Sequence, residues 1–255
     1  YEISACLVGS EMCIRDRSDI ILKAKPRRVG VKEQAIPSEN SVKKLIECSE
    51  SFWKPFWMIK ATVGPRVSEL TALPWKNVHL NEGHIYIGQK TDDEGKITEQ
   101  LKTENSYRSL PISPEIIRLL SQLPREGKLV FPCPEFSPGY QKFNQHGPTV
   151  WVDGERLRGA NEERPMNNQE VPRYGLIPVL KKHEIEWPGE SVRGAKLHIL
   201  RHFAASRMID KHWNVKRIQK RLGHADAKTT LDIYGHLMDR QTFHEEAEQL
   251  SDGLF

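Results

Sequence analysis

No apolar run in this 255-residue chain approaches the ~18 residues that a membrane-spanning helix needs, so no span is expected. Cysteine is scarce: the four present follow neither metal-ligand nor disulfide-framework spacing, and a reduced, cytoplasmic compartment is the expectation. Net charge is small as well, +4 from 38 basic and 34 acidic side chains, so overall charge does not mark a nucleic-acid binder. No repeat and no low-complexity tract is present. The informative scarcity is local. From Arg193 to His224 the chain is rich in Lys and Arg but has a single carboxylate, Asp210, and after Asp239 the sign reverses with Glu245, Glu246, Glu248 and Asp252.

Within that carboxylate-poor stretch, LHILRHFAASRMIDKHWNVKRIQKRLGHADAKTTLDIYGH runs from Leu197 to His236. Leu197, Leu200, Ala204 and Met208 recur at helical intervals, which lets His198 and Arg201 share a face beside the buried stripe. A second helix is expected over Val215 to Leu222, with Val215, Ile218 and Leu222 inward and Lys216, Arg217, Lys220 and Arg221 outward. Gly223 ends it. Asp226 then caps a third helix through Thr230 and Tyr234, and the turn folds Tyr234 back toward His198 and Arg201.

Upstream, ATVGPRVSELTALPW puts Pro65 in the first turn of a helix, where its missing N–H costs nothing, and holds Arg66 at the helix start. Val67, Leu70 and Leu73 form its buried stripe. Pairing with Glu69 is the purely structural reading of Arg66. Next, His84–Gln89, Ile97–Lys102 and Arg108–Ile112 read as three short strands with turns at 92–95 and 103–106, giving a small antiparallel sheet with Lys102 beside its second turn. Lys90 and Lys96 are competing lysines on the same hairpin. A helix capped by Ser113 with Pro114 at its first position follows, and the Pro- and Gly-rich stretch 132–194 carries one helical island around 174–182. Before these elements, Phe52, Trp53, Phe56 and Trp57 read as core.

The pattern H-x-L-R-H (His198 to His202), then L-G-H (Leu222 to His224), then Y-x-H (Tyr234 to His236), with G-P-R-V-S-E-L around Arg66, resembles the tyrosine recombinase or phage integrase family. Val63-Gly64 stands where that family has Thr-Gly. The resemblance implies an α+β, mostly helical catalytic domain with a small three-stranded antiparallel sheet, spanning residues 38–250. It also implies Lys102 as the hairpin lysine that protonates the leaving oxygen, and a chain that works on double-stranded DNA as a tetramer, without membrane, metal or other cofactor. Residues 18–37 read as the basic linker that in this family follows an N-terminal DNA-binding domain, and 251–255 as the end of the acidic tail. Residues 1–17 are set aside, because LVGSEMCIRD at Leu7–Asp16 reads as a translated sequencing adapter; the natural chain is then expected to extend further upstream.

The implied chemistry is attack of a phenol on a phosphodiester. A phenol of pKa ~10 is mostly protonated at neutral pH, so phenolate formation costs roughly 4 kcal/mol at about 1.36 per unit. Arg66 and Arg201 suit the non-bridging oxygens, His198 the tyrosine proton, His224 a phosphate oxygen, and Tyr234 the nucleophile. Arg193, Lys196, Lys216, Arg217, Lys220 and Arg221 are the candidate backbone-phosphate contacts. The activity implied is site-specific cleavage and rejoining through a 3′-phosphotyrosine, for integration or excision of a phage or other mobile element. Alternatives are an inert DNA-binding remnant, a topoisomerase-like enzyme, and a metal-dependent phosphodiesterase using His198 and His202. Against the last stands Arg201, whose charge would repel a cation between the two.

Overall fold

The computed structural model describes residues 36–50, 52–92, 95–101, 103–125, 127–133, 151–152, 155–156, 164–188 and 197–235. The adapter-like segment, the linker up to residue 35 and the acidic tail lie outside them.

Helix α1, Glu39–Cys48, starts where the Ser38 side chain accepts the Ser41 N–H at 3.0 Å. It turns Val42 and Leu45 onto α2, Trp53–Thr62, which is the centre of the core. The aromatic cluster expected there is buried: Trp53 stacks on Trp57 with centroids 5.5 Å apart, and Phe56 meets Phe131 edge-on at 5.2 Å. Each such pair adds about 0.5–1.5 kcal/mol beyond its area. Gly175 is required beside this cluster, since a Cβ there would lie 2.5 Å from the Trp53 ring.

After the short α3, Val67–Thr71, the chain forms β1, Val78–His79, and β2, His84–Ile87. Together with a later strand, Arg108–Pro111, these make an antiparallel three-stranded sheet in which β2 is central. The sheet has the expected size but not the expected membership. Ile97–Thr98 (β4) pairs with Lys90–Thr91 (β3) in a separate ribbon, leaving Arg108–Pro111 as β5. The chain leaves the sheet at Gly88 and Gln89, where the buried Gln89 amide donates to the Ala72 carbonyl at 2.5 Å, and the ribbon then packs on α3. Ile97, on that ribbon, is 43% exposed. A backbone bond from Gly95 to Asp92 closes the ribbon's turn, and one from Ser106 to Thr103 closes the next.

Helix α4, Pro114–Ser121, is capped by Ser113 as its sequence implies. The helical island begins earlier than its periodicity suggests, with a π-helical turn at Pro172–Leu176 running into α5, Ile177–Lys182. The last three helices are α6, Ile199–Asp210, α7, Val215–Leu222, and α8 at residues 227–235. Helix α6 packs on α2, and α7 packs on both α6 and β5. Ala204, Ala205, Met208, Ile209, Ile218, Leu222 and Tyr234 form a second buried cluster that binds α6, α7 and α8 together. No helix among the described residues is long and apolar enough to cross a membrane.

Candidate active site

The site is built on the turn between α2 and α3. Gly64, with φ +77°, lies where a Cβ would come within 3.0 Å of Leu222 and 3.2 Å of Ala204, so its absence lets the turn touch α6 and α7. The Gly64 carbonyl accepts from Arg201 Nη1 at 2.9 Å, and the Pro65 carbonyl accepts from Lys60 Nζ at 2.6 Å. Arg66 is itself the N-cap of α3, and Pro65 precedes the helix instead of sitting in its first turn. Glu69 accepts the Arg66 backbone N–H at 2.8 Å and Arg66 Nη1 at 2.9 Å, so the structural pairing forms. It does not exhaust the guanidinium: Nη2 reaches the Gly223 carbonyl at 3.4 Å, and 34% of the side chain remains exposed.

Arg201 points inward from α6 and is 1% exposed, with Nη2 donating to the Leu222 carbonyl at 2.6 Å. Two of its five N–H donors meet these carbonyls. Burial, then the neighbouring charge of Arg66, brings its pKa down to about 9, which leaves it cationic at neutral pH. The carbonyls of Gly64, Leu222 and Gly223 thus fasten both arginines to one seam. Glu69 underlies it. Burial favours the neutral acid, but the charge and hydrogen bonds of Arg108, and then Arg66 and Arg201, bring its pKa down to about 2. Arg108 is buried on β5, donating to Glu69 through Nη1 at 3.2 Å and Nη2 at 2.8 Å, and through Nε to the Arg221 carbonyl at 2.9 Å.

Tyr234 lies on α8, whose start is tied by Asp226 Oδ1 accepting from the Lys228 N–H at 3.1 Å. The Tyr234 hydroxyl is 2.8 Å from His202 Nδ1. His198, the expected partner, is not the residue paired with it. It sits at the N-cap of α6, where it is exposed, so it and Arg201 do not share one environment on a helix face. Burial pushes the Tyr234 phenol up to about 12, against the opposing pull of Arg201. Desolvation, followed by the charges of Lys60 and Arg201, pushes the His198 pKa below the ordinary histidine value. His202 shifts the same way, through burial and then Arg201 and Lys60.

His224 follows the left-handed Gly223 that ends α7 and is buried, its Nδ1 2.9 Å from Thr230 Oγ1. Burial and then the charges of Arg201, Arg66 and Arg108 bring its pKa down to about 4, so it is a neutral imidazole at pH 7. When the Thr230 hydroxyl donates to Nδ1, the ring proton resides on Nε2, and His224 offers an uncharged N–H.

Arg66, Arg201, His224, His198 and Tyr234 are therefore gathered around the seam between α3, α6, α7 and α8. Lys102, Arg193 and Lys196 lie outside the described residues. Of the competing lysines, Lys90 is half-buried on β3 and Lys96 exposed. On α7, Lys216, Arg217 and Lys220 are exposed. Arg221, expected outward, is half-buried and donates to the Pro111 carbonyl at 3.0 Å. Tyr86, Tyr107 and Trp213 flank these basic side chains in one trough between the sheet and α7.

Three residues given no role in strand transfer from the sequence lie at this site. His202 was visible as the last residue of H-x-L-R-H. Arg108 had no distinguishing signal beyond a cation opening a short strand. Lys60 interrupts the apolar run FWMIKATV, a signal that does not by itself tell a site residue from a surface lysine; it is fully buried, and desolvation, then Arg201, brings its pKa down to about 7.

The chain is 48% identical over 220 residues to transposase A from transposon Tn554 of Staphylococcus aureus strain Mu50, covering 86% of this chain and 53% of that protein. It is 24% identical over 212 residues to the ICEBs1 integrase of Bacillus subtilis strain 168, covering 82% and 51%. It spans about half the length of these curated relatives. A Tn1549 transposon integrase, solved with circular intermediate DNA, superposes with a TM-score of 0.58 at 18% identity, covering 87% of this chain and 68% of that one. The XerA recombinase gives 0.55 at 19%, covering 87% and 67%. These two likenesses establish the fold: mostly helical, with a small antiparallel sheet. Residues 38–241 match the phage integrase family model, and the chain belongs to that family.

Proposed function

We propose that this chain is the catalytic part of a site-specific DNA recombinase that moves a phage, transposon or other mobile element. Tyr234 attacks a backbone phosphorus, the bond from phenolic oxygen to phosphorus forms, and the bond to the 5′-oxygen breaks. The tyrosine proton passes to His202, and the departing 5′-oxygen takes a proton from a general acid, for which Lys102 is the candidate. Arg66 and Arg201 hold the non-bridging oxygens, and neutral His224 donates to one of them. A 5′-hydroxyl from another strand reverses the step. Because the phosphotyrosine conserves the bond energy, resealing needs no nucleotide.

The observation that carries this reading is the seam itself. Carbonyls of Gly64, Leu222 and Gly223 hold two guanidiniums together, and α6 presents Arg201 beside the histidine bonded to Tyr234. DNA as the partner is further supported by the basic and aromatic trough of Lys216, Arg217, Lys220, Tyr107 and Trp213, a mixture suited to phosphates and sugars. A tetramer on DNA, in the cytoplasm, completes the proposal.

The test is a supercoiled plasmid carrying two copies of the element's joined ends, incubated with the protein in EDTA. Recombinant junctions support the reading. Relaxation without exchange would mark a topoisomerase-like enzyme, and salt-sensitive binding with neither product would mark an inert DNA-binding fragment.

A further inference from the structure

On the β1–β2 hairpin the sheet carries two imidazoles and a carboxylate that the proposed strand-transfer chemistry does not use. His79 and His84 are cross-strand partners in the antiparallel register. Their rings lie within 20° of parallel, with centroids 4.5 Å apart. Glu82 stands in the turn between them, its Oε2 3.5 Å from His84 Nδ1. One donor atom from each of the three lies within 4.8 Å of the others.

We propose that this hairpin binds one divalent transition-metal ion of the zinc type, through imidazole nitrogens of His79 and His84 and the carboxylate of Glu82, with water completing the shell. Two imidazoles and one carboxylate with an open fourth position is a donor set that zinc accepts, whereas magnesium demands oxygen donors and octahedral geometry. Donors bound tetrahedrally at about 2.0–2.1 Å lie roughly 3.4 Å from one another. The Glu82–His84 separation of 3.5 Å already meets that spacing. The other donor separations, within 4.8 Å, must also close, and because the two rings stack nearly parallel, one imidazole turns about χ2 to aim its nitrogen lone pair at the shared ion.

The scaffold decides which groups move. Backbone bonds from Gly83 to Leu80 at 3.3 Å and from Ile112 to Gly83 at 2.9 Å pin the turn, and β5 pairs with His84 from the other side. The His84 side chain is only 24% exposed, while Glu82 is 69% exposed and free to swing. His84 is thus the enclosed donor, and the Glu82 carboxylate and the His79 ring adapt to it. A shared dication satisfies all three groups. The bound ion would tie β1 to β2, in the sheet whose third strand supplies Arg108. Its role is structural, and no step of the proposed cleavage passes through it.

The experiment is calorimetric titration of untagged, chelator-stripped protein with zinc chloride, and separately with magnesium chloride, alongside thermal melts. The expected result is one equivalent of zinc bound with a rise in Tm, no response to magnesium, and at least tenfold weaker zinc binding in both His84→Asn and Glu82→Gln. Glu82→Gln guards against misfolding, because its exposed side chain can be changed without disturbing the core. Absence of zinc binding overturns the proposal, and so does binding that both variants leave unchanged, which would place the ion on other histidines. Neither outcome bears on DNA cleavage, which is assayed in EDTA.

Discussion

The hydroxyl of Tyr234 lies 2.8 Å from Nδ1 of His202, the residue that directly follows the buried Arg201 on α6. Helix geometry therefore couples the histidine bonded to Tyr234 to the Arg201 guanidinium, the two groups proposed to take the tyrosine proton and to hold the phosphate. With the phenol pushed up to about 12 by burial, forming phenolate at pH 7 costs roughly 7 kcal/mol at about 1.36 per pH unit. The resting tyrosine is a poor nucleophile, and an acceptor in contact with it matters. Replacing His202 with Ala should slow formation of the covalent DNA adduct by about 10²–10⁴-fold, with DNA affinity retained. Single-turnover rates at saturating protein measure this; an unchanged rate would return the role to His198.

Gly223 ends α7 at φ +69°, and a Cβ there would lie 2.8 Å from Arg108 Nη1, while its carbonyl receives Arg66. Gly223→Ala must therefore strain the backbone and displace a buried guanidinium. A stability loss of about 1–3 kcal/mol is expected, together with slower cleavage. Denaturant unfolding and adduct rates measured on the same preparation check the two effects.

Glu69 neutralises Arg108 inside the fold and orients Arg66 at its edge. Glu69→Gln removes the charge but keeps the shape, leaving Arg108 buried beside Arg66 and Arg201. A loss of about 3–5 kcal/mol is expected, as for a broken buried ion pair. With its folded pKa lowered from 4.5 to about 2, the wild-type contribution is fully present above pH 4.5 and fades as pH falls toward 2. Unfolding free energies of wild type and variant should differ most above pH 4.5 and converge on acidification.

Lys60 acts in the opposite sense. Its amine, fully buried with a folded pKa of about 7 against an unfolded value of 10.5, binds fewer protons in the fold than in the unfolded chain between those pH values. Stability should consequently rise across that window, by up to about 1.4 kcal/mol per pH unit from this group. Lys60→Met should abolish that portion of the slope, read from denaturation midpoints between pH 7 and 10. An identical slope in the variant would show that the amine is not desolvated as the structure has it.

What was legible in the sequence follows from where each signal is written. Helix α7 could be read in its bounds, its buried Ile218 and Leu222 and its exposed Lys216, Arg217 and Lys220, because an apolar stripe, a basic face and a terminal Gly223 are local features; the half-buried Val215 and Arg221 depart from that pattern. So could the cap at Ser113 and the aromatic core of α2. The sheet misled because strand partners are chosen by distant contacts: Gln89 bonds to Ala72 where the chain leaves the sheet, the ribbon of Ile97 packs on α3, and no alternation rule contains either contact. The motif around α6 names both histidines, but not which of them pairs with Tyr234. His198 and His202 lie on the same short stretch, and only the placement of α8 decides which one meets Tyr234. Lys60 and Arg108 were not identifiable because their roles depend on the carbonyls and carboxylate that the fold brings beside them.

The most direct test of the account uses a nicked DNA substrate from the element's own ends, incubated with the protein in EDTA and resolved on a denaturing gel. A protein–DNA adduct is expected in EDTA that disappears in Tyr234→Phe, with the label attached through a 3′-phosphate. An adduct that survives in Tyr234→Phe, or cleavage that EDTA abolishes, would contradict it.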